Sequence, residues 1–200
     1  KHLRWRVRMD LHRLGRPAVV GVVVFRKAWV VRVRPASVPV TMGAGLGGGS
    51  ADGAFMLRLV NDLCQLRLSD QQLADYALEL GSDCPFFIYN SPHFATGRGE
   101  RMEPVDIDLS TCSIQLICPK VHVSTATAFK MITPAPADYN LRELNTIPVE
   151  HWRNYIRNDF EVPVFKEHPP LAEIKQQLYD KGAQYAAMSG SGSAIFGIFP

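Results

Sequence analysis

Between Thr41 and Phe55 the chain reads Thr-Met-Gly-Ala-Gly-Leu-Gly-Gly-Gly-Ser-Ala-Asp-Gly-Ala-Phe, with five glycines in the seven positions from Gly43 to Gly49. Glycine removes the side chain that keeps a backbone away from a bulky anion. The segment after Ser50 has a helix-like pattern, and a helix start offers unpaired N–H groups and the positive end of its dipole. A glycine run feeding a helix therefore points to a nucleotide phosphate. A purely structural turn is the alternative, but five glycines are more than a turn needs, and each costs backbone entropy on folding.

The surrounding sequence narrows that reading. Gly43-Ala-Gly45-Leu-Gly47-Gly48 formally contains G-x-G-x-x-G. A dinucleotide fold would follow its first helix with a strand ending in an acid. Here a second helical pattern follows, opened by Ser69-Asp70-Gln71-Gln72 as a capping box and ended near Gly81. The Walker A pattern fails too, because Gly49 stands where a lysine should precede Ser50.

Phe55, Leu59 and Leu63, flanked by Met56, Val60 and Cys64, recur at helical spacing and predict one buried helix face. Val19–Phe25, Ala28–Val33, Pro85–Tyr89, Ile114–Cys118 and Ala194–Phe199 read as strands. Ser124–Met131 and Leu171–Lys181 read as helices, the second closed by Gly182. Helices and strands without regular βαβ alternation predict an α+β fold. The 200 residues suffice for one domain or two small lobes.

Charge is unevenly spread. Residues 1–40 hold ten Lys/Arg against Asp10 alone, a balance of +9, while the remaining residues hold twelve against eighteen acids, a balance of −6. Such a basic arm raises contact with RNA or DNA as an alternative function, but it lacks an aromatic stacking platform, and charge alone is a weak footprint. The apolar stretch from Ala18 to Phe25 is broken by Gly21 and falls far short of the roughly 20 residues a membrane helix needs. It also lacks a signal peptide's flanks. Cys64, Cys84, Cys112 and Cys118 form no C-x-x-C pair and have no histidine at zinc spacing, so reduced cytoplasmic thiols are expected.

Two further elements carry chemistry. Asp83, in Gly81-Ser82-Asp83-Cys84-Pro85-Phe86-Phe87, is a candidate base for a substrate hydroxyl, although alone it reads equally as a turn aspartate. Met188-Ser189-Gly190-Ser191-Gly192-Ser193-Ala194 lies between strongly apolar segments, where a second backbone cradle fits better than a flexible linker.

In this order and spacing, Met42–Asp52, Gly81–Phe87 and Met188–Phe196 resemble the GHMP kinase superfamily, as do Val123–Phe129 and Asn158-Asp159-Phe160-Glu161. The likeness is nearest to the branch acting on a cytidine-diphosphate-linked polyol of the non-mevalonate isoprenoid pathway, and it covers about residues 38 to 200. It implies a two-lobed α+β fold, with an N-terminal lobe like domain 2 of ribosomal protein S5, incomplete here, and a ferredoxin-like C-terminal lobe. The implied division is a basic arm over 1–37, the rest of the ATP lobe over 38–110 and the C-terminal lobe over 111–200.

The resemblance also implies roles for single residues. Gly43, Ala44, Gly45, Leu46, Gly47, Gly48, Gly49 and Ser50 would form the ATP loop, with Ser50 also nearest Mg²⁺. Asp83 would act on the 2-hydroxyl of the polyol. Thr125, Phe129, Ser189, Gly190, Ser191 and Gly192 would contact the substrate, the last four closing over it or over the transferring phosphoryl. The family's Lys-x-Asn-x-x-Leu strand, whose lysine pairs with the aspartate, has no counterpart in residues 1–37, and Lys27 is in the wrong context to replace it. An N-terminally truncated chain with an arm from an altered reading frame or wrong start, and weak or no kinase turnover, is the expectation. Alternatives are a GHMP-type kinase for another alcohol, or the nucleic-acid-binding reading of the arm.

Overall fold

The computed structural model describes residues 6–8, 19–20, 22–24, 45–97, 99–133 and 139–200. Before the glycine loop, β1 (Arg6–Arg8) pairs antiparallel with β3 (Val22–Val24), while β2 (Val19–Val20) pairs antiparallel with a later strand. The single strand expected over Val19–Phe25 is thus two short ones in different sheets, and the strand expected over Ala28–Val33 lies outside the described residues.

Helices α1 (Gly48–Leu63) and α2 (Asp70–Leu80) follow the loop. The capping box forms as the sequence requires: Ser69 Oγ accepts from Gln72 N–H at 3.3 Å, and Gln72 Oε1 accepts from Ser69 N–H at 2.9 Å. Gly81 ends α2 in an extended conformation. Arg58 of α1 pairs with Asp70 at 3.0 Å and donates to the Ile88 carbonyl, binding three helices together.

Two sequence expectations fail here. Pro85–Tyr89, read as a strand, lies in helix α3 (Cys84–Tyr89), closed by Asn90 in the left-handed region at φ 57°. Its residues Cys84 through Ile88 are all buried. A continuous apolar run has no periodicity to separate helix from strand, and a proline in the first turn suits a helix start. The second failure concerns α1. Phe55, Met56, Leu59, Val60 and Leu63 are exposed, Leu63 by 74%, whereas Ala54 is fully buried. The helix packs through its small residues instead. A side-chain carbon on Gly53 would lie 3.5 Å from Leu80 and 3.8 Å from Cys84, so the small-residue face meets α2 and α3.

Strands β4 (His93–Thr96) and β5 (Arg101–Pro104) pair antiparallel, with β2 on the other edge of β4. Next come β6 (Ser113–Ile117), α4 (Thr125–Met131), 3-10 helices over Leu141–Thr146 and Val149–Asn154, α5 (Glu161–Glu167), α6 (Pro169–Asp180), β7 (Tyr185–Met188) and β8 (Ile195–Phe199). The antiparallel sheet β6-β8-β7 is covered on both faces. Strand alternation sends Ile114, Tyr185, Ala187, Phe196 and Ile198 to a core with Leu144 and Trp152. It sends Ala186, Met188 and Ile195 to the opposite core, with Ala128, Phe160, Val164, Leu171 and Leu178. Both strand edges of the Met188–Ile195 turn are therefore anchored in two cores at once. Arg142 joins the two halves of the chain: it holds Glu103 of β5 bidentately at 2.7 and 2.9 Å, and its guanidinium lies 4.1 Å from the Phe94 ring centre.

The exposed stripe on α1 yields a prediction. The double substitution Leu59→Glu and Leu63→Glu is expected to leave the thermal midpoint within about 2 °C and to reduce self-association in size-exclusion chromatography. A midpoint lowered by about 8 °C or more would mean that this face is covered in the folded chain.

Candidate active site

Gly45 of the glycine loop and Ser189 of the Met188–Ala194 segment are 144 residues apart in sequence, and the two segments meet backbone to backbone. Gly45 has φ 74°, and a side-chain carbon there would lie 2.1 Å from the Ser189 carbonyl oxygen and 2.9 Å from that of Gly192. Ser189 Oγ donates to the Gly45 carbonyl at 2.8 Å. Gly47, at φ 69°, rests on Phe87, whose ring tip would be 2.9 Å from an added carbon. The loop is thus seated on α3 at Gly47 and on the β7–β8 turn at Gly45. Leu46 packs into the core shared with Trp152 and Phe196.

Beyond those two seats the loop opens. Carbons added at Gly48 or Gly49 would meet nothing within 4 Å, and both glycines are exposed. Gly47 is the N-cap of α1, and among the described residues no side chain caps the helix start. The first-turn N–H groups lie at the positive end of a helix of 16 residues, without an intrahelical acceptor. The glycines divide into two kinds: Gly45 and Gly47 are required by protein packing, and Gly48 and Gly49 leave room for something outside the protein. Gly43 and Ala44 lie outside the described residues.

Asp83 is the N-cap of α3, half-buried, one turn before the Phe87 that supports Gly47. Ser82 Oγ lies 3.5 Å from its Oδ1, a long contact. Ser50 is half-buried in the first turn of α1. Among the described residues no group of three or more His, Cys, Asp or Glu could hold a metal ion.

The second cradle is rigid and enclosed. Ser189, Ser191 and Ser193 are all buried. Ser191 Oγ shares a 3.0 Å hydrogen bond with Thr125 Oγ1, and Ser193 Oγ donates to the Val121 carbonyl at 2.6 Å. Thr125 and Ser191, both candidates for substrate contact, are thereby brought together. Phe129 is partly buried, its ring edge-on to Phe160 with centroids 5.0 Å apart.

Sequence reasoning assigned no role to two residues that build this cradle. Asn158 is 3% exposed; its Nδ2 donates to the carbonyls of Met188 and Gly190, each at 2.8 Å, and its Oδ1 accepts from Phe160 N–H at 3.0 Å. Glu161 Oε1 accepts from Met188 N–H at 2.8 Å, and its other oxygen is paired with Lys175. The signal was the Asn-Asp-Phe-Glu string, whose amide and carboxylate bond backbone groups 27 to 32 residues away. Burial, then the charges of Glu161 and Tyr179, pushes the Tyr185 phenol well above its ordinary pKa, so it stays neutral behind the turn.

The description "GHMP kinases N terminal domain" matches residues 30–91, and "GHMP kinases C terminal" matches residues 140–200. The chain belongs to the GHMP kinase family. It is 52% identical over 160 residues to a 4-diphosphocytidyl-2-C-methyl-D-erythritol kinase of Parabacteroides distasonis, covering 80% of this chain and 59% of the relative. It is 53% identical over 157 residues to the protein of the same name in Bacteroides fragilis, covering 78% and 57%. A solved 4-(cytidine 5'-diphospho)-2C-methyl-D-erythritol kinase superposes with a TM-score of 0.67 at 29% identity, covering 80% of this chain and 59% of that one. The chain thus spans a little under three-fifths of the length of these relatives.

The two kinds of glycine predict opposite effects on stability. Gly49→Ala is expected to stabilise the chain by about 0.5 kcal/mol, since alanine favours a helix, while weakening ATP binding. Gly45→Ala is expected to lower both stability and binding. Thermal melts and calorimetric titration with an ATP analogue check the pair; ATP affinity unchanged in Gly49→Ala would remove the ligand role from that glycine.

Proposed function

We propose that this chain carries the site of an ATP-dependent kinase that phosphorylates the 2-hydroxyl of 4-diphosphocytidyl-2-C-methyl-D-erythritol in the non-mevalonate isoprenoid pathway. The observation that carries the reading is the open, uncapped first turn of α1 behind Gly48 and Gly49, locked from below by the β7–β8 turn. The names of relatives at about half identity supply the substrate.

In this reading the backbone N–H groups from Gly45 to Ser50 take the ATP phosphates, with Gly43 and Ala44 at the entry to the loop. The Ser50 hydroxyl would be the protein contact of Mg²⁺, which when bound would neutralise charge on the phosphate oxygens. Asp83 orients the substrate hydroxyl or accepts its proton for in-line attack on the γ-phosphorus. Thr125, Phe129 and the Ser189–Gly192 turn form the substrate side. Positioning and electrostatic stabilisation carry most of the rate, as phosphoryl transfer requires of a protein. The domain division at residues 37/38 and 110/111 belongs to the same proposal, as does a cytoplasmic setting.

Incubating the purified chain with ATP, Mg²⁺ and the diphosphocytidyl polyol tests this. The expected result is nucleotide binding, with transfer of the γ-phosphoryl to the 2-hydroxyl detected by phosphorus NMR or mass spectrometry at a slow rate. Asp83→Asn is expected to lower that rate by about 100-fold or more with ATP affinity kept. Transfer to another alcohol in a substrate panel would redirect the assignment, and absence of ATP binding would overturn it.

A further inference from the structure

We propose that the strip of chain from Lys120 to Ser124 reads the diphosphate of the substrate, with Lys120 and His122 as its side-chain contacts; this rests on the kinase reading above. The strip joins β6 to α4 and runs along the serine-glycine turn. Near its start the Val121 carbonyl accepts from Ser193 Oγ at 2.6 Å, and just past its end Thr125 Oγ1 shares a 3.0 Å hydrogen bond with Ser191 Oγ. Between these points Val123 is buried against the turn: a side-chain carbon on Gly192 would lie 3.4 Å from its Cγ2. Val121 packs against the same core. With Val121 and Val123 turned inward, alternation along the strip leaves Lys120, His122 and Ser124 exposed.

This strip has the donors that the rest of the substrate side lacks. Thr125, Phe129 and the residues from Ser189 to Gly192 carry no positive charge, whereas the diphosphocytidyl polyol brings two phosphates. Among the described residues Lys120 and His122 have no ion-pair partner, and the backbone N–H groups from Lys120 to Val123 have no acceptor. Ammonium, imidazole N–H and uncommitted backbone N–H groups are the donors that bind phosphate oxygens. A lone exposed cation contributes little. Two of them on a strip already tied to a buried turn need less ordering when an anion arrives. The spacing along the chain suits a nucleotide as well. Phe129 lies one turn of α4 beyond Thr125, about 6 Å along the helix axis, and His122 precedes Thr125 by three residues. A base at Phe129 therefore leaves the sugar near Thr125 and the phosphates at the strip.

The test uses the full 200-residue chain as wild type, Lys120→Ala, Lys120→Arg, His122→Ala and the double alanine variant. Affinities for the diphosphocytidyl polyol and for a non-hydrolysable ATP analogue are measured separately by calorimetry, at low and at high salt. Both positions are exposed, so the variants keep the fold, which matching circular dichroism checks. Each alanine variant is expected to lose about tenfold in polyol affinity, and Lys120→Arg to keep most of it. The ATP analogue is expected to bind within about twofold of wild type throughout. Added salt is expected to weaken polyol binding less in the double variant than in wild type. Unchanged polyol affinity in the double variant, an equal loss for the ATP analogue, or the same salt response in both proteins would overturn the proposal alone. A wild-type chain that binds the ATP analogue but not the polyol would overturn the assigned substrate and the role of the strip with it. One that binds no nucleotide would overturn the kinase reading beneath both.

Discussion

The contact between the Gly45 backbone and the Ser189–Gly192 turn is the constraint on which the site depends. A side-chain carbon at Gly45 would be 2.1 Å from a carbonyl oxygen, so only glycine allows the two segments to approach this closely. Close approach alone would leave a pair of floppy loops. What makes it rigid is that one partner is a tight turn between two strands, each buried on both faces. The stiffness of the C-terminal sheet is transmitted to a glycine-rich loop that has little of its own, and the loop passes it to the start of α1.

This arrangement explains why so many polar atoms are buried around residues 188 to 193. Each unpaired polar group in such a place would cost on the order of 1–3 kcal/mol. Asn158, Glu161, Thr125 and the carbonyls of Gly45 and Val121 together partner the turn. The network is satisfied where it is described, which is the condition under which buried polar groups specify one conformation instead of weakening the core. Its members come from four separate stretches of chain, so the shape of the turn depends on tertiary contacts and not on its local sequence alone.

Much of this was legible in the sequence wherever the signal is local. The capping box at Ser69–Gln72, the helices α4 and α6 and the strand-turn-strand at the C-terminus follow from neighbouring residues. The glycine run, the Asp83 segment and the serine-glycine turn resemble the family by their order and spacing, and the family models match the chain. Two features were not legible, for different reasons. Cys84–Tyr89 has no polar residue to set a period, and its helical state is decided by what surrounds it. The role of Asn158 depends on partners about 30 residues away, which no local pattern encodes.

The stripe on α1 shows a limit of another kind. Periodicity correctly identified an apolar face at Phe55, Leu59 and Leu63, but it cannot say which face a neighbour covers. The small face, Ala51, Ala54 and Gly53, lets α2 and α3 approach closely, and it is this face that is packed. A helix with small residues on one side and large apolar residues on the other has the composition of a middle layer, able to bury both sides. Among the described residues one layer is present and Phe55, Met56, Leu59, Val60 and Leu63 face outward. The consequence for function is direct. The phosphate-loop helix is held at its N-terminal end by the turn and α3 and along one side by α2, while its other side contributes exposed apolar area without stabilising it. The end that carries the candidate site is the held one, and the stability of the helix rests on its small-residue side, not on the side left open.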